Sequence, residues 1–325
     1  MRAVICRTYG TPEDLVIEDV AKPVPGPGPG QLLVRVHAAA VNFPDVLLIA
    51  GKYQVKIPVP FTPGSELAGE VVAVGAGTAF RPGQRVFAST PTGAFAELAL
   101  LDSRAALAIP GDADFISAAA FGVTYRTAYH ALRSIAQVAE GDWVVILGAA
   151  GGVGLAAVDL AVAMEARVLA AASGPDKLEL CRKRGASVTV DYDREDLKSR
   201  VRELTQDSAR VVLDPVGGSY SEPALRALAR GGTFITLGYA AGSIPAIPLN
   251  LVLLKGISIR GMEIRTFVSD HPSESKRDLA ELAQMFAAGT VRPYIGARFP
   301  LTETPAALRH VAERKALGKV IIDVA

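Results

Sequence analysis

The sequence predicts an α/β protein in which a mostly-β domain is joined to a doubly wound parallel sheet. Residues 1 to about 120 hold short alternating runs between Pro/Gly turns, a pattern typical of an all-β, partly barrel-like domain. From about residue 141, continuous apolar strands alternate with helical stretches, which indicates a parallel sheet buried on both faces. A length of 325 residues and a hydrophobic content of 50% suit two domains with large cores.

The first domain is predicted to consist of short strands. The expected strands include 31–41, 69–77 and 84–88, and they are separated by turns rich in proline and glycine. The stretch AKPVPGPGPGQ (21–31) is expected to be a stiff surface loop rather than a linker, because it is short and strands flank it.

The second domain is predicted to repeat a strand–helix unit. The expected strands are 143–147, 167–172, 187–190, 210–213 and 232–237, with a further strand at 256–261, and the expected helices are 152–165, 175–184, 195–205 and 219–229. A helix at about 273–288 and a strand at 319–324 follow. The tail from about 290 is expected to return to the first domain because YIGARFPL resembles its strands. The predicted domains are therefore 1–121, completed by 290–325, and 122–289.

A glycine-rich turn follows the first strand of this second domain, within ILGAAGGVGLAAVDLA (146–161). Gly151 and Gly154 occupy the second and third positions of a G-x-G-x-x-G pattern, whereas Ala149 occupies the first. Gly151 would let the backbone approach a pyrophosphate, and Gly154 would permit close packing of helix on strand. Unpaired N–H groups at the helix N-terminus favour phosphate. In the context of repeated βα units, the turn predicts a dinucleotide site rather than a tight turn alone.

The residues after the second strand favour NADPH over NADH. An NAD site usually places an acid there to hold the ribose 2′-hydroxyl, but residues 170–174 are Ala, Ala, Ala, Ser and Gly. Lys177 follows one helical turn later, and Tyr192 ends the next strand. Asp176 is an unfavourable neighbour that could face solvent. The missing acid carries more of this argument than Lys177, which could equally be a solvated helix residue.

Charge and cysteine content argue against several classes of function. The net charge is +1, and no cluster of Lys and Arg reaches the density of a surface that binds nucleic acid or anionic membranes. Cys6 and Cys181 match no metal or disulfide framework and are expected to be reduced thiols of a cytoplasmic protein. We expect no signal peptide and no membrane-spanning segment.

Several segments together resemble the zinc-free NADPH:quinone oxidoreductase, or zeta-crystallin-like, branch of the medium-chain dehydrogenase/reductase superfamily. The matching stretches are PGPGQLLVRVHAAAVNFPDVLLIAGKY, PGSELAGEVVAVGAG, GQRVFA, TAYHAL, GDWVVILGAAGGVGLAAVDLA and VVLDPVGG. In this family AAGGVG is the usual turn, so Ala149 is no defect. The resemblance implies a GroES-like domain, a Rossmann domain and an active site in the cleft between them. It also implies a homodimer or higher oligomer, with strand 256–261 at the joining edge.

The resemblance implies that no metal is bound. Zinc-dependent relatives place ligands at positions that here read Asn42-Phe43-Pro44-Asp45, Gly64-Ser65-Glu66 and Asp214-Pro215. Asp45, Glu66 and Asp214 alone would make a poor tetrahedral site. The histidines at positions 37, 130, 271 and 310 have no ligand spacing and are expected on ordinary strand or helix surfaces.

The resemblance also assigns the catalytic candidates. Asn42 and Asp45 are expected beside the nicotinamide, Tyr53 in the cleft, and Thr127 in contact with the cofactor. Tyr53 could donate a hydrogen bond to the substrate oxygen, although it could equally pack under its loop. Asn42 could instead cap a turn.

The cofactor-binding candidates come from both expected domains. They are Phe43, Thr127, Gly151, Gly152, Val153, Ser173, Lys177, Tyr192, Gly238, Tyr239, Arg314 and Lys319. Arg314 and Lys319 are expected to reach the cofactor phosphates, but both could equally face solvent.

The expected activity is hydride transfer from NADPH to a quinone. One alternative is reduction of an activated C=C bond in an enone, enal, haloacrylate or enoyl thioester, and another is a non-catalytic NADPH-binding or RNA-binding protein. Residues 260–270 lack the Trp-Gly pair that many relatives carry near the cleft. Arg265 in this segment could favour an acidic or CoA-linked substrate, or it could only pair with Glu263.

Overall fold

The computed structural model describes residues 1–23 and 26–324, and backbone contacts divide the chain into two compact units. The first unit comprises Met1–Val123 and Arg292–Ala325, and the second comprises Thr124–Val291. Val24 and Pro25, which fall in the expected loop 21–31, and Ala325 lie outside the described residues.

The secondary-structure elements of the described residues are numbered in chain order. The strands are β1 (Arg2–Ile5), β2 (Val16–Asp19), β3 (Gln31–Val41), β4 (Glu66–Val74), β5 (Arg85–Ser89), β6 (Leu98–Asp102), β7 (Ala106–Ala108), β8 (Trp143–Leu147), β9 (Arg167–Ala172), β10 (Val188–Asp191), β11 (Ala209–Asp214), β12 (Thr233–Thr236), β13 (Ser258–Gly261), β14 (Ile295–Pro300) and β15 (Lys319–Asp323). The helices are α1 (Phe43–Ile49), α2 (Phe115–Tyr129), α3 (Gly152–Ala163), α4 (Pro175–Lys183), α5 (Leu197–Thr205), α6 (Ser221–Ala227), α7 (Asn250–Lys255), α8 (Ile264–Asp270), α9 (Pro272–Ala287) and α10 (Thr304–Ala312). A π-helical turn covers His130–Ala136, and short 3₁₀ turns cover Pro12–Asp14, Ser103–Ala105, Gly218–Tyr220 and Leu301–Glu303.

The first unit is built around the long strand β3. The main sheet has the order β14-β15-β3-β4-β5-β7, and β6 also pairs with β3. Alternate residues of β3 point into the core, where Leu32, Val34 and Val36 are fully buried. Because one face is buried and the other partly solvated, the strands show the alternating pattern of an antiparallel sheet.

The C-terminal segment contributes two strands and a helix to this sheet. β14 runs parallel to β15, and β15 runs antiparallel to β3 with Val320 opposite Val41. Ala307 and Leu308 of α10 are fully buried in the same core.

The second unit is a six-stranded parallel sheet of order β10-β9-β8-β11-β12-β13. Counted within the unit, this is the 3-2-1-4-5-6 order of a Rossmann sheet. All five residues of β8 are buried, which explains its unbroken apolar sequence. The strand order reverses between β8 and β11, so ligands of such sheets bind at the carboxyl ends of these strands.

The predicted fold class is therefore confirmed. β8 and β9 have the bounds expected from the sequence, and α3, α4 and α9 differ from expectation by only one or two residues. The helices α1, α2, α7, α8 and α10 were not predicted. No helix in the described part of the chain is long and apolar enough to cross a lipid bilayer.

Candidate functional site

The glycine-rich turn connects β8 to α3 at the point where the strand order reverses. Gly148 adopts a positive φ of 56°, so the left-handed position of the turn precedes Ala149. Ala149 is fully buried, and its N–H donates to the carbonyl of Ala171 on β9. The turn therefore accepts alanine at this position without backbone strain. Sequence reasoning overlooked Gly148, although a glycine immediately after a buried strand is a recognised turn signal.

Gly154 allows α3 to lie directly on the turn. A Cβ atom at this position would lie 2.2 Å from the carbonyl oxygen of Gly148, closer than any side chain could be accommodated. Gly151 is the N-cap residue of α3 and has no capping side chain. The first N–H groups of α3 are thus left for an anion, as expected at a phosphate-binding helix end.

Three predicted residues meet at the carboxyl ends of β9 and β10. Ser173 follows β9 directly, and the Lys177 ammonium lies 3.4 Å from its hydroxyl oxygen. The backbone N–H of Tyr192 donates to the carbonyl of Ala172, which brings Tyr192 beside Ser173. Asp176 is exposed, as the solvent-facing alternative requires. The end of β9 therefore presents a hydroxyl and a cation, with no carboxylate at residues 172–174.

Tyr192 is packed against a second tyrosine. Its ring centroid lies 4.3 Å from that of Tyr220 at an interplanar angle of 38°. The Tyr220 hydroxyl donates a hydrogen bond of 2.6 Å to Asp193 Oδ1. Neither Tyr220 nor Asp193 was identified from the sequence, because Tyr220 lies on the 3₁₀ turn after β11, far from Tyr192 along the chain.

The loop after β12 places Gly238 and Tyr239 near the loop after β11. The N–H groups of Ala240 and Ala241 donate to the carbonyls of Pro215 and Val216. Asp214 stabilises the loop after β11, since it accepts hydrogen bonds from the N–H groups of Val216 and Gly217 at 2.8 Å each. Burial raises the pKa of Asp214, although these bonds and one from Ser221 oppose that effect.

In the first unit, Asn42 belongs to a buried cluster of polar side chains. Its Nδ2 donates to Glu66 Oε2 at 3.1 Å, and its Oδ1 accepts from Lys319 Nζ at 2.7 Å. Lys319 Nζ also lies 3.2 Å from Glu66 Oε2. Glu66 Oε1 accepts the N–H of Val123 at 2.6 Å. β3, β4 and β15 thus fix the Asn42 amide from both ends.

Asp45 caps α1 beneath this cluster. Its Oδ2 accepts the N–H of Asn42 at 2.7 Å, an arrangement that satisfies the first turn of a helix. Asp45 is fully buried, and burial raises its pKa to about 7, although the bonds from Asn42 and Ser65 and the nearby Lys319 act in the opposite direction. Asp45 and Lys319 are both engaged inside the first unit, and their contact with a bound cofactor or substrate stays a prediction.

The other predicted residues differ in exposure. Phe43 and Tyr53 are half-buried in the first unit, and Arg314 is exposed on a backbone with φ of 58°. Thr127 is buried on α2 in the second unit.

The structure corrects the expectation that all four histidines lie on surfaces. His130 is only 1% exposed, and its Nδ1 lies 2.7 Å from Asp278 Oδ2, to which Ser134 also donates. Burial lowers the pKa of His130, although Asp278 opposes this effect. Sequence separation concealed the pairing, since Asp278 lies on α9.

Arg265 has a local partner. Its Nε donates to Glu263 Oε1 at 3.0 Å, and Glu263 also caps α8 through the N–H of Thr266. The pairing with Glu263, one of the two expected roles, is therefore present.

The residues at the zinc-ligand positions of related dehydrogenases do not fit a zinc ion. Asp45 is used in capping, Glu66 in the buried cluster and Asp214 in its loop. Within residues 1–23 and 26–324, no three His, Cys, Asp or Glu side chains lie close enough together to hold a metal ion.

Comparisons with known proteins find relatives for both units of the chain. Residues 28–111 match the alcohol dehydrogenase GroES-like domain family, and residues 152–285 match the zinc-binding dehydrogenase family. The quinone oxidoreductase-like protein 2 homolog of Nematostella vectensis is 37% identical over 99% of this chain and 88% of its own length. A quinone oxidoreductase of Pseudomonas aeruginosa is 34% identical over 97% of both chains. The crystal structure of Escherichia coli quinone oxidoreductase complexed with NADPH superposes with a TM-score of 0.93 at 25% identity, covering 100% of both chains.

These similarities extend over nearly the whole chain and include both units. The chain therefore belongs to the quinone oxidoreductase, or zeta-crystallin-like, branch of the medium-chain dehydrogenase/reductase superfamily, a family of oxidoreductases.

Proposed function

We propose that this protein is an NADPH-dependent quinone oxidoreductase that works without zinc. The observation that carries the proposal is the carboxyl end of β9, where Ser173 and Lys177 stand in place of the acid that an NAD site usually has. The names of the P. aeruginosa and E. coli relatives support the quinone as acceptor and NADPH as cofactor.

The residues of the second unit fit a dinucleotide. Gly154 leaves room for α3 to lie on the turn, and the N-terminus of α3 offers unpaired N–H groups to a pyrophosphate. The residues that would hold the cofactor are Gly151, Gly152 and Val153 at the pyrophosphate, Ser173, Lys177 and Tyr192 at the 2′-phosphate, and Gly238 and Tyr239 at the nicotinamide half. When bound, NADPH supplies the hydride that reduces the acceptor.

The chain's own groups then act by position and electrostatics. Lys177 neutralises part of the 2′-phosphate charge, and residues 172–174 themselves add no carboxylate. The Asp191 carboxylate at the end of β10 is engaged by the Gly174 N–H at 3.3 Å. A quinone accepts hydride without help from a Lewis acid, whereas an alcohol needs one to form the alkoxide that gives up hydride. Quinone reduction therefore suits a site whose side chains are poor zinc ligands. Our candidates for contact with the cofactor or the acceptor are Asn42, Asp45, Tyr53 and Thr127. Phe43, Arg314 and Lys319 are further candidates for contact with the cofactor.

Activity is tested by following NADPH oxidation with 1,4-benzoquinone, 3-penten-2-one and an acryloyl thioester. We expect turnover with the quinone to exceed that with either alkene. Turnover with the alkenes but not with the quinone would show that the substrate is an activated C=C bond rather than a quinone. NADPH binding without transfer to any acceptor would indicate a non-catalytic protein.

Cofactor selectivity is tested separately by binding. We expect NADPH to bind at least about tenfold more tightly than NADH, equivalent to about 1.4 kcal/mol. Lys177→Ala should lower the ratio of the NADH dissociation constant to the NADPH dissociation constant. Lys183→Ala on the same helix is the matched control, because Lys183 pairs with Glu179 on the exposed surface. An unchanged ratio in Lys177→Ala would show that Lys177 does not contact the 2′-phosphate.

We also propose a homodimer joined through β13. All four residues of this strand are exposed, and it lies at the end of the six-stranded order. Leu249, Leu253 and Leu254, just before it, are 75%, 81% and 63% exposed, so the edge adjoins an apolar patch. A second copy pairing antiparallel would cover both. Leu253→Asp should lower the mass measured by light scattering, whereas Leu100→Asp in the first unit should not. A wild-type monomer would refute the proposal.

The two cysteines support a reducing compartment, and we propose the cytoplasm. Cys6 and Cys181 are both free and buried.

A further inference from the structure

A pair of tyrosines and an aspartate form a small cluster at the carboxyl end of β10. Tyr192 and Tyr220 pack ring on ring at 4.3 Å, and the Tyr220 hydroxyl donates to Asp193 Oδ1 at 2.6 Å. Asp193 directly follows Tyr192 in the chain, so Tyr220 contacts one residue by its ring and the next by its hydroxyl. Two neighbouring positions of this turn are thereby held by one side chain from the β11–α6 connection.

The backbone beneath this cluster is also fixed. The Tyr192 N–H donates to Ala172, and the Asp193 N–H donates to Asp191 Oδ1 at 3.2 Å. Asp191 Oδ2 accepts the N–H of Gly174 at 3.3 Å. The turns after β9 and β10 are therefore tied together, and Tyr192 is held next to Ser173.

The hydroxyl contact also determines where a negative charge lies. Asp193 is exposed and would repel a phosphate placed beside Tyr192. The hydrogen bond from the Tyr220 hydroxyl holds the Asp193 carboxylate on the side of that hydroxyl. A tyrosine already held in its binding conformation loses less side-chain entropy when a ligand arrives.

We propose that Tyr220 and Asp193 form a clasp that pre-orders Tyr192 for the 2′-phosphate of NADPH, which makes Tyr220 a positioning residue for cofactor selectivity. This inference rests on the proposed function, because it takes Tyr192 as part of the 2′-phosphate subsite. NADH carries a hydroxyl at that position, so the clasp contributes to NADPH binding and little to NADH binding.

The experiment compares dissociation constants for NADPH and NADH, measured by calorimetry on the full chain. Tyr220→Leu removes both ring and hydroxyl and should weaken NADPH binding by about fivefold, given the usual strength of an aromatic pair. Tyr220→Phe keeps the ring and should weaken NADPH binding by about twofold through loss of the one hydrogen bond. NADH binding should change less than the corresponding NADPH binding in both variants.

Two further measurements separate positioning from general stability. Tyr9→Phe is the matched control, because Tyr9 also donates its hydroxyl at 2.6 Å, but to the carbonyl of Ile57 in the first unit, and this variant should bind NADPH normally. Binding of 2′,5′-ADP and 5′-AMP should reproduce the NADPH and NADH results, since only the first fragment carries the 2′-phosphate.

The outcomes distinguish the clasp from the subsite itself. Equal weakening of NADPH and NADH, or no change in Tyr220→Leu, would overturn the clasp while a narrowed ratio in Lys177→Ala still supported the 2′-phosphate subsite. A wild-type protein with no preference for NADPH would overturn both.

Discussion

Replacing Asp45 by asparagine should make the protein less sensitive to rising pH. The Asp45 carboxyl is fully buried, and burial raises its pKa to about 7. In the unfolded chain the same group has a pKa of about 3.9. The folded state therefore binds more protons than the unfolded state between these two values. Stability must fall as pH rises through this window.

The size of the effect follows from the difference between the two pKa values. Each pKa unit corresponds to about 1.4 kcal/mol, so about three units correspond to a total of about 4 kcal/mol. About 2.5 kcal/mol of this is lost between pH 5 and pH 8. Asparagine is neutral throughout and keeps an oxygen that can accept the N–H of Asn42. The free energy of unfolding of Asp45→Asn, minus that of the wild type, should therefore grow by about 2.5 kcal/mol over this range.

The assay is urea unfolding followed by far-ultraviolet circular dichroism at pH 5, 6, 7 and 8. Circular dichroism is needed because Trp143, the only tryptophan, belongs to the second unit. Asp114→Asn is the control that should show no pH dependence. Burial alone would raise the pKa of Asp114, but the hydrogen bonds from Ser117 lower it, so this carboxylate is already ionised at pH 5 and the difference between this variant and the wild type should stay constant from pH 5 to pH 8. A difference for Asp45→Asn that stays constant from pH 5 to pH 8 would refute the argument.

Three further outcomes are expected. Gly154→Ala should lower the melting temperature and weaken dinucleotide binding, because its methyl group would meet a backbone carbonyl at 2.2 Å; Gly26→Ala, with no atom within 4 Å, should do neither. Lys319→Met should lower the free energy of unfolding in urea by about 3 kcal/mol, because it leaves Glu66 buried without its cation. The Glu66→Gln/Lys319→Met double variant should recover part of that loss. Equal stability of the wild type and both variants would contradict this expectation. Asp278→Asn should destabilise the second unit in the same assay by about 2 kcal/mol through weaker bonds to the π-helical turn, and an unchanged midpoint would count against that role.

The elements with strong local signals could be predicted from the sequence. β8 and β9 are continuous apolar runs, and the glycines after β8 mark the turn into α3. α2 gave no such signal, because Phe115–Tyr129 carries small apolar residues on every side and has no polar face. A mostly buried helix of this kind cannot be told from a strand by periodicity alone.

The polar networks could not be predicted because they join distant residues. Lys319 and Asn42 are 277 positions apart, and His130 and Asp278 are 148 apart. Nothing local distinguishes Lys319 from a solvent-facing lysine at the start of β15, since its environment is created by strands from elsewhere in the chain. The same is true of Tyr220, whose partner Asp193 lies 27 positions earlier.

The position of β15 has a consequence for how the protein is made. β6 pairs with the first part of β3, at 31–35, while β15 pairs with its last part, at 38–41. During translation, the edge of β3 at 38–41 cannot pair with β15 until residues 319–323 have been synthesised. The second unit, Thr124–Val291, is contiguous, so all its strands are synthesised before that point. Through most of translation the nascent chain thus carries an unpaired, alanine-rich strand edge. Exposed strand edges of this kind are prone to aggregation until their partner strand covers them.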